Sequence, residues 1–195
     1  MLDEVKDYVE FLFANKSDRE KMILIHLLDT EKYVKILHLK LTDRQAPEYL
    51  LIAAVAHDIE RGFRDEKVYE NMFKSEKGFL NKEFLSYHQK RSAEILKEFL
   101  TEKNYNIRDI DKVYDIVSLH EIGGDTDTNI LKDADSISFL INNVEHFVKI
   151  KTKEASIGKV KEKIDWMFHR ITFKEAKKIA LPFYENAKNK LKQIE

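Results

Sequence analysis

The segment Leu50-Leu51-Ile52-Ala53-Ala54-Val55-Ala56-His57-Asp58-Ile59 constrains this chain more than any other. From Leu50 to Ala56 it is apolar on every side of a helix, the pattern of a helix buried all round. It then delivers an imidazole and a carboxylate side by side near its C-terminal end. Burying such groups without partners costs several kcal/mol, roughly, so they are normally paired or metal-bound. The partners must come from elsewhere in the chain, and the candidates are His26, His88, His120 and Asp135.

Each candidate falls in a stretch that reads as helix. Leu2, Val5, Tyr8, Val9 and Leu12 predict a short amphipathic helix over residues 2–14. Ser17 with Glu20 is a capping-box pair that opens a long helix to about Leu41, with Ile23, His26, Thr30, Tyr33 and Leu37 along one face. Pro47 suits the first turn of the buried helix, which is expected to end at Gly62. Residues 63–80 read as a loop with a short helix. A helix from Asn81 to Leu100 carries Phe84, Leu85, His88, Ser92 and Ile95 together. Asn106 with Asp109 caps a helix from Ile107 through His120, which Gly123-Gly124 ends. Asp127 or Thr128 opens the next helix, Asn129 to about Asn143, which carries Asp135. After an ambiguous stretch with a break near Gly158 come a helix through Trp166 and Phe168 and a terminal helix opened by a Thr172–Glu175 capping box.

No stretch shows strand-like alternation, and the chain has only 5 glycines and 2 prolines, which favours long helices over a turn-rich sandwich. The expectation is one all-α domain, residues 1–195, of about eight to ten helices. Its polar core lies within residues 20–140, and the helices of 145–195 pack on it. There is no cysteine, which removes disulfides, thiolate metal sites and cysteine nucleophiles. A formal net charge of −1 gives no electrostatic reason to expect nucleic acid or an anionic membrane surface as partner. No run approaches the roughly 20 apolar residues of a membrane span. Met1-Leu2-Asp3-Glu4-Val5 is acidic rather than basic and then apolar, so the expected compartment is the cytoplasm. Oligomeric state is left open.

The six inward polar groups, His26, His57, Asp58, His88, His120 and Asp135, come from five predicted helices. Imidazole and carboxylate without thiolate suit iron, manganese, zinc, nickel or magnesium-like ions. Six ligands exceed what one catalytic ion needs, and would serve two octahedral ions if Asp58 bridges them. His57 and Asp58 differ by about 100° around a helix, so they can reach two sides of one cluster. A histidine on a helix face is also an ordinary hydrogen-bonded core residue, and Asp135 also reads as an exposed helix acid. Asp133 is expected on a different face, at solvent or behind the ligands.

The order His…His-Asp…His…His…Asp resembles the HD-domain superfamily of metal-dependent phosphohydrolases. Ala54-Val55-Ala56-His57-Asp58-Ile59 is similar to that family's apolar helix ending in His-Asp. His88-Gln89-Lys90-Arg91-Ser92-Ala93-Glu94-Ile95-Leu96, Ile116-Val117-Ser118-Leu119-His120-Glu121 and Leu131-Lys132-Asp133-Ala134-Asp135 resemble its later ligand segments. The resemblance spans residues 20–140. It implies an all-helical fold in which His26, His57, Asp58 and Asp135 bind one ion, and His88 and His120 hold a second with Asp58 bridging. It also implies catalytic roles for Asp58, His88 and His120; in one-metal members the latter two positions contact phosphate or move protons. The Gly-Tyr-Pro signature of the cyclic-di-GMP phosphodiesterase branch is absent, since Gly123-Gly124-Asp125 follows His120-Glu121.

The expected activity is hydrolysis of a phosphoester of a nucleotide or other small phosphorylated metabolite. The expected cofactors are two divalent ions, iron or manganese first, then nickel, zinc, cobalt or magnesium. Arg61 and Arg64, just past the doublet, offer forked donors for phosphate oxygens; each also reads as a surface ion pair. The alternatives are a diiron oxygenase of the same fold and ligand set, and a catalytically silent nucleotide-binding regulatory module.

Overall fold

A computed structural model describes residues 1–14, 17–63, 80–152 and 156–194. All the regular structure there is helical, with eight helices: α1 (Leu2–Phe13), α2 (Asp18–Thr42), α3 (Glu48–Ala56), α4 (Lys82–Glu102), α5 (Ile107–Ser118), α6 (Thr126–Ser138), α7 (Ile157–His169) and α8 (Lys174–Lys192). The apolar segment forms α3 and sits at the centre. Leu50 and every residue from Ile52 to Ala56 have no exposed surface, because α1, α2, α5 and α6 all pack around this helix. Full burial of one such aliphatic side chain is worth about 1.5–3 kcal/mol, so α3 is held by its surroundings rather than by its own surface chemistry. A cluster of buried apolar side chains continues from Val5 on α1 to Leu191 on α8. No helix among the described residues is long and apolar enough to cross a membrane.

Local chemistry explains most boundaries. Ser17 and Glu20 form the expected capping box at the start of α2, with the Ser17 N–H donating to Glu20 Oε2 at 3.0 Å. Asn81 accepts from the Glu83 and Phe84 N–H groups to open α4, and Asn106 accepts from the Arg108 N–H to open α5. Five expectations need correction. The buried helix stops at Ala56 rather than Gly62; His57 and Asp58 form a turn, and Ile59–Gly62 is a single 3₁₀ turn. Helix α5 stops at Ser118, so His120 lies just beyond it. Helix α6 starts at Thr126, because Asp125 accepts from both the N–H and the hydroxyl of Thr128. It then widens into a π-helical segment, Phe139–Asn143, continued by Val144–His146 and a second π-helical segment, Phe147–Lys151. The break expected near Gly158 comes earlier, since Ser156 caps α7 and Gly158 lies inside its first turn.

The turn after His120 depends on Gly123. Its φ of +93° is the left-handed region that side chains avoid, and a Cβ there would run into Asn129 Oδ1 and Lys132 Nζ.

The fifth correction concerns α8. No capping box forms at Thr172, and α8 has no capping side chain of its own. Its start is capped from another helix: Asp133 on α6 is fully buried and accepts from the N–H groups of Thr172 at 2.8 Å and Phe173 at 2.7 Å. Asp133 therefore neither faces solvent nor backs the ligands. Asp133→Ala should leave two helix-start N–H groups without acceptors, at about 1–3 kcal/mol. Urea denaturation should show that loss while metal content stays at the wild-type level.

Candidate metal centre

The break at Ala56 decides how the doublet is presented. The carbonyls of the last helical turn have no intrahelical partner, and the His57 ring takes one of them: its Nδ1–H donates to Ala54 O at 2.9 Å. The same device recurs past the end of α5, where His120 Nδ1–H donates to Val117 O at 2.7 Å. A carbonyl can only accept, so both rings carry their proton on Nδ1 and turn the lone pair of Nε2 inward. His88 and His26 reach the same state by other means. His88 Nδ1 lies 2.8 Å from the Glu60 carboxylate. His26 Nδ1 lies 2.9 Å from Ser138 Oγ, whose own hydrogen is donated to His26 O. In all four imidazoles Nδ1 is thus engaged by an outer partner and Nε2 is turned toward the centre, the arrangement found when an outer partner orients a metal-binding histidine.

The four Nε2 atoms converge on two carboxylates that are used alike. Asp58 Oδ1 lies 2.6 Å from His88 Nε2 and 3.9 Å from His120 Nε2, while Oδ2 lies 2.7 Å from Arg61 Nε. Asp135 Oδ1 lies 3.1 Å from His26 Nε2 and 3.7 Å from His57 Nε2, while Oδ2 accepts from Arg170. The halves meet where the His57 and His120 rings stand edge to face, 5.0 Å apart. Every one of the six residues expected from the sequence is buried and present here.

The donor set fits metal ions. Three overlapping groups, His26–His57–Asp58, His57–His120–Asp135 and Asp58–His88–His120, each place one ligand atom per residue within 4.8 Å of the others. The Nε2 atoms of His57 and His120 are buried and have no hydrogen-bond partner, a costly state that a cation would relieve. Lone pairs facing carboxylates need positive charge between them, supplied by a second ring proton or by a metal. Each pair of groups shares one residue, His57, His120 or Asp58, so the candidate ligand atoms form one continuous cluster.

The electrostatics favour ionised carboxylates. Burial alone would raise Asp58, but Arg61, then His88 and His57, outweigh it and hold the carboxyl well below the usual range. Asp135 is held well below by Arg170 and by His26 and His57 against the same burial effect. Burial pushes His120 down to about 4, only partly opposed by Glu121, so this ring is neutral at physiological pH. His57 and His88 move the other way: burial disfavours their charged forms, but Asp58, with Asp135 for His57 and Glu60 for His88, raises both.

Several functional neighbours had no clear sequence signal. Arg170, at the end of α7, donates to Asp135, to Glu121 and, through Nε at 2.8 Å, to Ser136 Oγ. Its charge holds the buried Glu121 carboxyl at about 2 although burial opposes this. Arg170 lies far from Asp135 in sequence, so no local pattern links them. Glu60 was legible only as the second residue after Asp58, in a stretch read as helix; the 3₁₀ turn aims it at His88. Among the expected substrate groups, Arg61 stands on Asp58, and Arg64 lies outside the described residues. His38 is a structural residue, its ring on Arg44 O and Thr42 Oγ1.

A family model described as a domain of unknown function, DUF4202, matches residues 13–191. The chain belongs to that family. No curated protein and no solved structure matches it.

Two outcomes follow from this geometry. Glu60→Ala removes the acceptor that orients His88 and should weaken metal binding about 10–100-fold, read by competition against a chelator. The pH dependence has a definite sign. With no ion bound, the charged forms of His57 and His88 contribute stability in full below about pH 6.5, and this is lost as pH rises through their raised values. Metal binding needs the neutral rings. The rise in Tm on adding manganese to chelator-treated protein should therefore grow between about pH 6 and pH 8; a pH-independent rise would contradict this assignment.

Proposed function

We propose that this protein is a metal-dependent phosphohydrolase that cleaves a phosphoester of a nucleotide or another small phosphorylated metabolite. The observation that carries the reading is the convergence of four Nε2 atoms on Asp58 and Asp135 with guanidinium groups behind both carboxylates. His26, His57, Asp58 and Asp135 would hold one divalent ion, and His88 and His120 a second, with Asp58 between them. When bound, such ions supply Lewis acidity toward a phosphoryl group and acidify water near neutral pH.

The chain's own residues supply the rest. Asp58 stays ionised and is held by Arg61, so it can serve both halves of the centre. Arg61, half-exposed at the edge, presents a planar fork suited to phosphoryl oxygens. His120 remains neutral down to about pH 4, so acid does not displace it as a ligand under ordinary conditions. His88, between Asp58 and Glu60, is placed to hold or pass a proton. Phe139, Phe147 and Met167 line a small cavity together with His26, Asp58 and Asp135. Iron and manganese suit this nitrogen and oxygen set, as do the other divalent ions named above.

The test begins with metal analysis of protein purified without chelator, on wild type and His88→Ala, followed by phosphate release from a phosphoester panel with iron or manganese under nitrogen. The expected result is about two ions per chain, about one in the variant, and anaerobic phosphate release. Asp58→Asn should lower kcat/KM by at least about 10³-fold, about 4 kcal/mol of transition-state stabilisation. Product formed only with oxygen, and no phosphate, would replace hydrolysis by oxidation at the same centre. Absence of bound metal in both proteins, with no uptake on addition, would overturn the reading.

A further inference from the structure

Beside the centre is a cavity of about 50 Å³ whose wall on one side is His26, Asp58 and Asp135. Arg61 and Glu121 also line it, and the rest of the lining comes from the part of the chain beyond α6. The π-helical segment Phe139–Asn143 contributes Phe139 and Asn143, and α7 contributes Lys163. π-Helical turns are rare and are found most often at functional sites. The other cations here are committed: Arg61 to Asp58, Arg170 to Asp135 and Glu121. Lys163 is different. Among the described residues it makes no hydrogen bond or ion pair, although it is only partly exposed. Its ammonium is held over the Trp166 ring at 4.3 Å and the Phe139 ring at 5.8 Å. The Asn143 side-chain oxygen is buried and likewise has no hydrogen-bond partner. The buried Asn143 amide oxygen without a partner is costly to fold, and a lysine ammonium committed to no single carboxylate lines the same small cavity; together they point to a ligand that engages both. An amide turned by 180° presents its N–H groups to that ligand.

Size restricts what enters. Enclosing sites for drug-sized ligands run to roughly 300–1,000 Å³, so this cavity takes a compact anionic end group and no nucleoside. We infer that Lys163 and Asn143 bind the terminal phosphoryl group of the substrate in this cavity, and that the substrate is a phosphomonoester whose organic part stays outside it. This rests on the phosphohydrolase reading for its chemistry, but the binding claim is separable from it.

The experiment uses the full chain as purified, with inorganic phosphate as probe. Calorimetric titration compares wild type, Lys163→Gln and Lys163→Arg, with metal content and Tm measured on each. Loss of one charge-assisted contact should weaken phosphate binding about tenfold in Lys163→Gln, with metal content and Tm unchanged; Lys163→Arg should restore most of it. In turnover, Lys163→Gln should raise KM for p-nitrophenyl phosphate more than it lowers kcat. Equal phosphate affinity in wild type and Lys163→Gln, or no binding by wild type, overturns the subsite. Faster turnover of bis(p-nitrophenyl) phosphate than of the monoester overturns the substrate class. Lys163-dependent phosphate binding without any ester hydrolysis keeps the subsite and removes the hydrolase reading. Hydrolysis with phosphate affinity indifferent to Lys163 does the reverse.

Discussion

Two carboxylates buried at the core, each shared between a guanidinium and a pair of imidazoles, set the terms for the rest of this molecule. Asp58 and Asp135 lie where water cannot solvate them, and an uncompensated charge there would cost several kcal/mol, roughly. Compensation arrives from every side of the bundle: His26 from α2, His57 from the end of α3, Arg61 from the 3₁₀ turn, His88 from α4, His120 from beyond α5 and Arg170 from the end of α7. The helices therefore meet at a polar point inside an apolar body. The uniformly apolar α3 makes this possible, since a helix buried all round can carry its C-terminal turn to the centre of the fold.

The last third of the chain is tied to that point rather than appended to it. The link between α7 and α8 and the stretch of α6 around Asp135 hold each other in both directions. Asp133 reaches forward to cap α8, Lys132 donates to Thr172 Oγ1 at 2.7 Å, and Arg170 reaches back to Asp135 and Ser136. Trp166 contributes by placing its ring under Arg170 at 4.4 Å and Lys163 at 4.3 Å. Two cations near the centre are thus oriented by one aromatic face. A reading of residues 20–140 alone would leave Asp135 with one oxygen unpaired and the cavity without its far wall.

The sequence made the helices and the six inward polar groups legible because both depend on local signals: periodicity for the helices, and polar residues on apolar faces for the groups. Caps supplied by near neighbours, at Ser17 and Asn106, were legible for the same reason. What escaped was non-local. The Thr172–Glu175 pair has the form of a capping box, yet an aspartate from α6 captures the same N–H groups first. Gly62 reads as a helix stop and so carried the doublet's helix past Ala56, whereas the chain turns into 3₁₀ geometry before it reaches that glycine. Arg170 gave no signal, since nothing in its own neighbourhood records that it folds against Glu121 and Asp135.

The way the imidazoles are held separates this centre from sites that a metal must assemble. His57 and His120 are fixed by backbone carbonyls of their own helix ends, and His26 by a serine that also holds its main chain. Those restraints are made by folding itself and owe nothing to an ion. The lone pairs are consequently aimed before any ion arrives, and the electrostatic tension at His57 and His120 is already present in the folded chain. In the proposed hydrolysis, side chains held this way would stay rigid as charge shifts at the phosphoryl group, and little reorganisation would be needed, which is the condition under which fixed charges lower a barrier most.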